Sequence, residues 1–299
     1  MQYLEQELAT CLTPGRQFRL PAAGKCNSWQ KKFIRSSSQL ELIIYFLFFY
    51  KFLKTQIIYS ELLEKFPEIV FGFSTKKGGV SPEPDRMNLS TSVRDDLKNV
   101  ERNREIFFNA LGIRKEQVTF QKQIHSAIIK YSDRPQIFEN CDAIYTDKKN
   151  NFLVVSVADC IPIFLYEPKK KIVAGVHSGW RGTYEKILTH TIEELKEKFS
   201  IDSSELVAYI GPGISQDNYE VGEEFAKYFE DEVKHKKNGK FFLDLKKDNY
   251  KQLIKSGVKK ENIEVSELCT FSEKEVLHSY RRDGNKSGRM FGVIGMRIK

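Results

Sequence analysis

The stretch "FLVVSVADCIPIFLYEPKKKIVAGVHSGWRGT", residues 152–183, decides how the chain folds. It holds three apolar runs, 152–158, 161–166 and 171–176, each of strand length and rich in β-branched residues. Runs of this kind read as strands buried on both faces. The turn-forming "EPKKK" (167–171) joins the second run to the third as a hairpin. Chemically active side chains stand at the seams, Cys160 after the first run and His177 after the third. Beyond His177 a glycine-bracketed turn opens into "TYEKILTHTIEELKEKFS" (183–200), which places Ile187, Ile192, Leu195 and Phe199 on one side and predicts a helix capped by Thr183.

Outward from there the pattern continues. "EIVFGFST" (68–75) reads as a strand, "KKGGVSPEPD" (76–85) as a turn and "DLKNVERNREIFFNALGI" (96–113) as a helix. "VTFQKQIHS" (118–126) predicts a strand that ends at His125, and "ELVAYIGPGI" (205–214) a strand running into a Gly-Pro-Gly turn. "GEEFAKYFEDEV" (222–233) and "KDNYKQLIKSGV" (247–258) have helical spacing, and "SYRRDGNKSGRMFGVIGM" (279–296) closes the chain. With no internal repeat and no linker, residues 57–299 read as one mixed α/β unit. Residues 1–56 differ in character and stay unassigned. Their run "LIIYFLFFY" (42–50) is nine residues long, whereas a spanning helix needs about 20, and no small-residue cleavage site follows it. It reads either as an extra docked helix or strand or as non-native upstream sequence; no stable membrane insertion is expected.

Composition narrows the function classes. With 299 residues, 40% hydrophobic and 29% charged, the chain can bury a core without staples. The net charge of +8 comes from lysines mixed with acids on polar faces, not from basic runs interleaved with aromatics, so a nucleic-acid-binding module is not expected. Five scattered cysteines, an odd number, argue against a disulfide framework and for a cytoplasmic setting.

His125, Cys160 and His177 share one feature, each ending a strand-like run, where a rigid sheet can hold a side chain toward a cleft. Two imidazoles and a thiolate form a sensible open zinc set. Taken singly they read equally well as structure: a cysteine in an apolar run is often inert core, and a histidine at a strand end is often merely hydrogen-bonded. The turn after His177, with Arg181, suits an anion at a helix start, unless Arg181 pairs with a surface carboxylate. Arg281 and Arg282 invite the same reading, with Asp283 as a neutralising partner for one of them. His190 and His235 sit in polar surroundings and read as solvated, His278 and Cys269 share the terminal segment without a spacing that says more, and Cys141 reads as a small buried residue opening a strand.

The motifs "GGVS", "MNLS", "NR", "QIHS", "CDAIYTD", "VADCIPIFL", "VAGVHSGWRGT", "YIGPGI", "YEVGEEF", "CT" and "SYRRDGNKSGRM" follow one another in this order between Phe66 and Met296. In this the chain resembles the laccase-domain, or YfiH-like, purine nucleoside phosphorylase family, whose older labels are polyphenol oxidase and laccase. The resemblance implies an α+β domain with mixed sheets layered against helices. It implies a metal-binding and catalytic site at His125, Cys160 and His177, with zinc the expected metal and copper the less favoured one. It also implies phosphorolysis of adenosine, inosine and methylthioadenosine with phosphate as co-substrate, adenosine deamination alongside, and, in a bacterial branch, peptidoglycan editing. Arg181 and Arg281 are the candidates for phosphate or substrate binding. The chain departs from the family in residues 1–56 and at Asn218, where members often carry cysteine. The glutamate usual in zinc deaminases is absent, and Asp159 is the nearest stand-in. Three rivals remain: a thiol amidase with Cys160 as nucleophile, a copper oxidase, which five histidines scarcely supply, and a structural zinc clip.

Overall fold

The computed structural model describes residues 55–298; the readings made on residues 1–54 lie outside it. The three central runs are strands, β7 (Phe152–Val157), β8 (Ile161–Glu167) and β9 (Ile172–Ser178), and β8 and β9 form the expected antiparallel hairpin. The hairpin does not share a sheet with β7. The chain crosses between two sheets at the turn that carries Asp159 and Cys160.

The first sheet has the order β1-β2-β15-β7-β3-β5, with β1 Ile57–Ile58, β2 Ile69–Ser74, β3 Val118–Gln121, β5 Ile137–Phe138 and β15 Met290–Met296. The second has the order β14-β10-β8-β9-β6-β4, with β4 Ile129–Tyr131, β6 Ala143–Thr146, β10 Val207–Ile210 and β14 Ile263–Val265. Both mix parallel and antiparallel pairs. They pack face to face: Phe73, Leu153, Val155 and Ile294 of the first meet Ile144, Phe164, Tyr166 and Tyr209 of the second. On its outer face the first sheet is covered by α1 (Leu97–Ala110) through Phe107 and Phe108. The second is covered by α3 (Ile187–Phe199) and α5 (Leu245–Lys255). The result is the expected α+β fold with four layers, helix, sheet, sheet, helix. Strand β8 lies deep in it, Ile161, Ile163 and Leu165 facing the helices and Phe164 and Tyr166 the other sheet, so its sequence is apolar without alternation.

Several expectations are corrected. The helix over 183–200 is two, α2 (Trp180–Tyr184) and α3, separated by Lys186 at φ +57°. Thr183 caps neither. It is buried in α2, where its hydroxyl meets Ser178 at 2.9 Å and Asn249 at 3.2 Å and its carbonyl accepts from Gln252 at 2.9 Å, so tertiary bonds fix the first turn and the chain re-enters the helix afresh. The helix over 222–233 shrinks to α4 (Glu223–Ala226), because Phe229 and Val233 turn into the core and Glu230 and Glu232 reach Lys251 on α5. The residues on either side of α4 form a three-stranded sheet of β11 (Glu220–Val221), β12 (Lys234–Lys237) and β13 (Lys240–Leu243), the last two joined by Asn238 and Gly239, both at positive φ. The strand over 118–126 stops at Gln121, and His125 lies in a loop at φ +61°. Among the described residues no helix is long and apolar enough to cross a membrane.

Candidate active site

His125, Cys160 and His177 come from three separate places and meet. Their ligand atoms all lie within 4.8 Å of one another, with Cys160 Sγ 3.8 Å from His125 Nε2 and the two imidazoles edge to face. His177 is supplied by β9 and is 3% exposed, Cys160 sits half-buried at the sheet crossing, and His125 is exposed on its loop. Close approach depends on Gly179. A Cβ there would stand 3.0 Å from the His125 ring and 3.1 Å from Cys160 Sγ.

The loop of His125 is built by one carboxylate, Asp142, which is 0% exposed. It accepts from the backbone N–H groups of Ile124, His125 and Ser126 at 3.2, 3.0 and 2.7 Å and from the Ser126 hydroxyl at 2.7 Å. The same carboxylate takes His177 Nδ1 at 2.8 Å, so the other ring nitrogen, Nε2, is left for the site. This is the carboxylate–histidine pairing that fixes the tautomer of a metal-ligating imidazole. Burial opposes the charge on Asp142, but the His177 bond and the Ser126 donors win and hold its carboxyl at about 2. Burial likewise opposes ionisation of Cys160, yet the neighbouring His177 and His125 bring its thiol down to about 6. Asp142 carries no mark of this role in the sequence. An aspartate at the head of an apolar strand looks like a turn residue until folding brings Ile124–Ser126 and His177 to it.

A second buried aspartate, Asp159, holds the other flank. It sits at φ +97° and is 8% exposed; its carboxylate accepts from the Thr270 hydroxyl at 2.6 Å and the Arg281 N–H at 2.6 Å. Both oxygens are committed, so Asp159 is a tether and a poor substitute for the free carboxylate of a deaminase. Arg281 lies over the Tyr219 ring at 5.1 Å and gives one nitrogen to the Glu220 carbonyl at 2.8 Å. Arg282 pairs with Asp283 as one reading held. Arg181 is exposed, lies over the Trp180 ring at 5.1 Å and, among the described residues, has no carboxylate partner; the five-residue α2 is too short to lend it a helix-terminus anion site.

The remaining candidates stay away from the trio. His190 and His235 are exposed, as expected. Cys141 is fully buried, and its thiol is pushed up to about 12 by burial and by Asp142, so it is inert. Cys269 accepts from Ser215 and Asn218, and His278 is 2% exposed with an unpaired Nε2. The chain holds five histidines, and among the described residues the trio is the one group of three potential ligands found. That donor set fits a single soft-to-borderline metal with an open position, not a set of copper centres.

A four-layer α+β fold gathers two histidines and a cysteine where the chain crosses between its sheets, the donor set of an open metal site. The chain belongs to the family described as multi-copper polyphenol oxidoreductase laccase, whose model matches residues 70–297. It is 35% identical over 248 residues to the Bacillus subtilis purine nucleoside phosphorylase YlmD, covering 77% of this chain and 89% of that one. It is 38% identical to a purine nucleoside phosphorylase of Clostridium acetobutylicum, over 79% of this chain and 95% of that one. Among solved structures, Bacillus licheniformis YfiH superimposes with a TM-score of 0.76 at 30% identity, over 82% of this chain and 97% of that one. Geobacillus stearothermophilus YlmD does so with 0.75 at 31% identity, over 80% and 94%.

Proposed function

We propose that the protein is a purine nucleoside phosphorylase that cleaves adenosine, inosine and methylthioadenosine to the free base and the (methylthio)ribose 1-phosphate, and deaminates adenosine at the same site. The convergence of His125, Cys160 and His177, with His177 oriented by Asp142, carries this reading, and the names of the relatives supply the substrate class. Zinc is the metal we assign to the trio, and when bound it supplies Lewis acidity beside the purine. In phosphorolysis an oxygen of hydrogen phosphate bonds to C1′ of the sugar as the C1′–N9 bond breaks; the electron pair leaves on the purine, which takes up the proton that the phosphate gives up. The transition state is positive on the sugar and negative on the base. His125 stands exposed at the mouth toward the nucleoside, with Arg181 and Arg281 as further substrate contacts. The working setting is the cytoplasm, where the free thiols of Cys141, Cys160 and Cys269 persist.

One observation favours a second reading. A depressed Cys160 thiol with an imidazole at 3.8 Å also suits a cysteine amidase acting on peptidoglycan precursors. Incubating the protein with adenosine, with and without phosphate, beside Cys160→Ala, separates the two. Phosphate-dependent adenine release lost in the variant supports phosphorolysis, and phosphate-independent inosine supports deamination. Absence of both, with alkylation-sensitive amide cleavage, would overturn the nucleoside reading. Chelation is expected to remove activity while leaving the fold intact; unfolding instead would make the trio a structural clip.

A further inference from the structure

Cations gather on one flank of the trio. On the Asp159 flank the segment from His278 to Met290 carries Arg281, Arg282 and Arg289, and Lys76 follows the end of β2. Arg282 is fully engaged: it pairs with Asp283 at 2.7 Å and donates to the carbonyls of Thr270, Phe271 and Leu277. Arg289 is not. Its guanidinium lies over the Tyr280 ring at 5.5 Å, and one terminal nitrogen reaches the Ser287 and Gly288 carbonyls at 2.8 and 3.1 Å. Among the described residues its Nε and second terminal nitrogen have no hydrogen-bond partner and no carboxylate is in ion-pair range; the half-buried Lys76 ammonium has neither as well.

Both cations are fixed to one short segment, since Lys76 accepts at its carbonyl from the Met87 N–H and Arg289 both accepts from the Leu89 N–H and donates to Asn88 Oδ1. Tyr280, under the guanidinium, adjoins Arg281, whose N–H holds Asp159 beside Cys160. Of the acids in this neighbourhood, Asp159 is committed to Thr270 and Arg281 and Asp283 to Arg282, while the exposed Glu275 faces Lys76 from beyond ion-pair distance. Burial lowers the Arg289 guanidinium, with Asp159 and Cys160 opposing; burial, then Arg86 and Arg282, lower Lys76, with Glu275 and Asp283 opposing. His278, between them, is held neutral, down at about 3, by burial and by Lys76. Two half-buried cations with free N–H groups and no carboxylate within ion-pair distance make a fork for an oxyanion.

We propose that Arg289, with Lys76, forms an oxyanion subsite beside Cys160 that takes the tetrahedral phosphate group, both as inorganic phosphate and as the phosphoryl end of the sugar 1-phosphate product. This rests on the phosphorolytic reading above for its role in turnover, though not for anion binding itself. The subsite places phosphate on the Asp159 flank and leaves the His125 flank for the nucleoside.

The test is calorimetric titration of the full chain with orthophosphate, together with steady-state kinetics of wild type, Arg289→Ala, Arg289→Lys and Lys76→Gln. Arg289→Ala is expected to weaken orthophosphate binding and raise the phosphate KM about tenfold or more, with the adenosine KM within about twofold. Arg289→Lys should recover part of the loss and Lys76→Gln should show a smaller one. Since Arg289 also anchors two carbonyls, melting curves accompany each variant, and Lys76→Gln carries the test if Arg289→Ala does not fold. Orthophosphate binding unchanged in the folded variants overturns the subsite. Arg289-dependent phosphate binding by a wild type that releases no base keeps the subsite and overturns the phosphorylase reading, and the reverse pattern does the opposite.

Discussion

Asp142 and Asp159 are both buried, both beside the trio and both fully hydrogen-bonded, yet they do different work. Asp142 receives five donors, three of them consecutive backbone N–H groups, and one of the five is the ring of His177. Asp159 receives two, from the Thr270 hydroxyl and the Arg281 N–H, and touches no member of the trio through its carboxylate. The difference teaches that a carboxylate surrounded by donors that cannot turn round specifies charge and tautomer. One that faces a rotatable hydroxyl specifies only position.

The isosteric amide is the sharpest probe of that contrast, and Asp142→Asn has the largest expected effect. Both oxygens of Asp142 face backbone N–H groups, so whichever way the amide is turned its NH2 meets a donor. Turned toward His177, that NH2 would donate to Nδ1 and drive the ring proton onto Nε2, removing the lone pair that the site needs. A loss of about 3–5 kcal/mol in unfolding free energy is expected. Turnover should fall roughly 100-fold or more, with metal content falling too. Denaturant melts, kcat and metal analysis on one preparation check it; a variant within about 1 kcal/mol and threefold of wild type would erase the distinction between the two aspartates.

Asp159→Asn comes next. Its carbonyl oxygen can keep the Arg281 N–H while its NH2 donates to the Thr270 oxygen, since a hydroxyl accepts as readily as it donates. The expected cost is under about 1.5 kcal/mol, with kcat within about threefold. Asp159→Ala leaves the Arg281 N–H and Thr270 hydroxyl without partners and keeps the φ of +97° that a non-glycine residue adopts at a cost, so about 2–4 kcal/mol is expected there. The pair of melts is informative as a ratio. Asn near wild type and Ala far from it marks a tether, and equal losses would put Asp159 in the same role as Asp142.

The two aspartates also show where the sequence could be read and where it could not. Strands β7, β8 and β9 were legible because burial on two faces removes the polar residues that would blur a run, and His125, Cys160 and His177 stood out by type at the ends of such runs. The break at Lys186 was not legible, since its cause lies in bonds from Ser178, Asn249 and Gln252 to Thr183, residues up to 69 positions away. Asp142 was hidden for the same reason. Its partners at 124–126 and 177 are joined to it only when β6 and β9 pair, so nothing in its immediate neighbours marks it. The segment that contains Asn238 and Gly239 hid its hairpin behind lysines, which are usual in loops and here serve an exposed edge.

Thr270→Val has the smallest expected effect on turnover and isolates the tether itself. Valine keeps the shape of threonine and removes only the hydroxyl, which is buried and donates to Asp159 Oδ1 at 2.6 Å. One oxygen of Asp159 would then lose its donor while the other keeps the Arg281 N–H, at a cost of about 1–2 kcal/mol. Because the Arg281 bond survives, Cys160 should stay beside His125 and kcat should hold within about twofold. Any kinetic change should fall on the phosphate KM, since Arg281 and Tyr280, which lies under Arg289, are carried by the short α6 (Tyr280–Asp283), whose start the Asp159 bond secures. A Thr270→Val variant that lost turnover as Asp142→Asn is expected to do would show that the cysteine flank is held as exactingly as the histidine flank, and that position and charge are not divided between the two carboxylates.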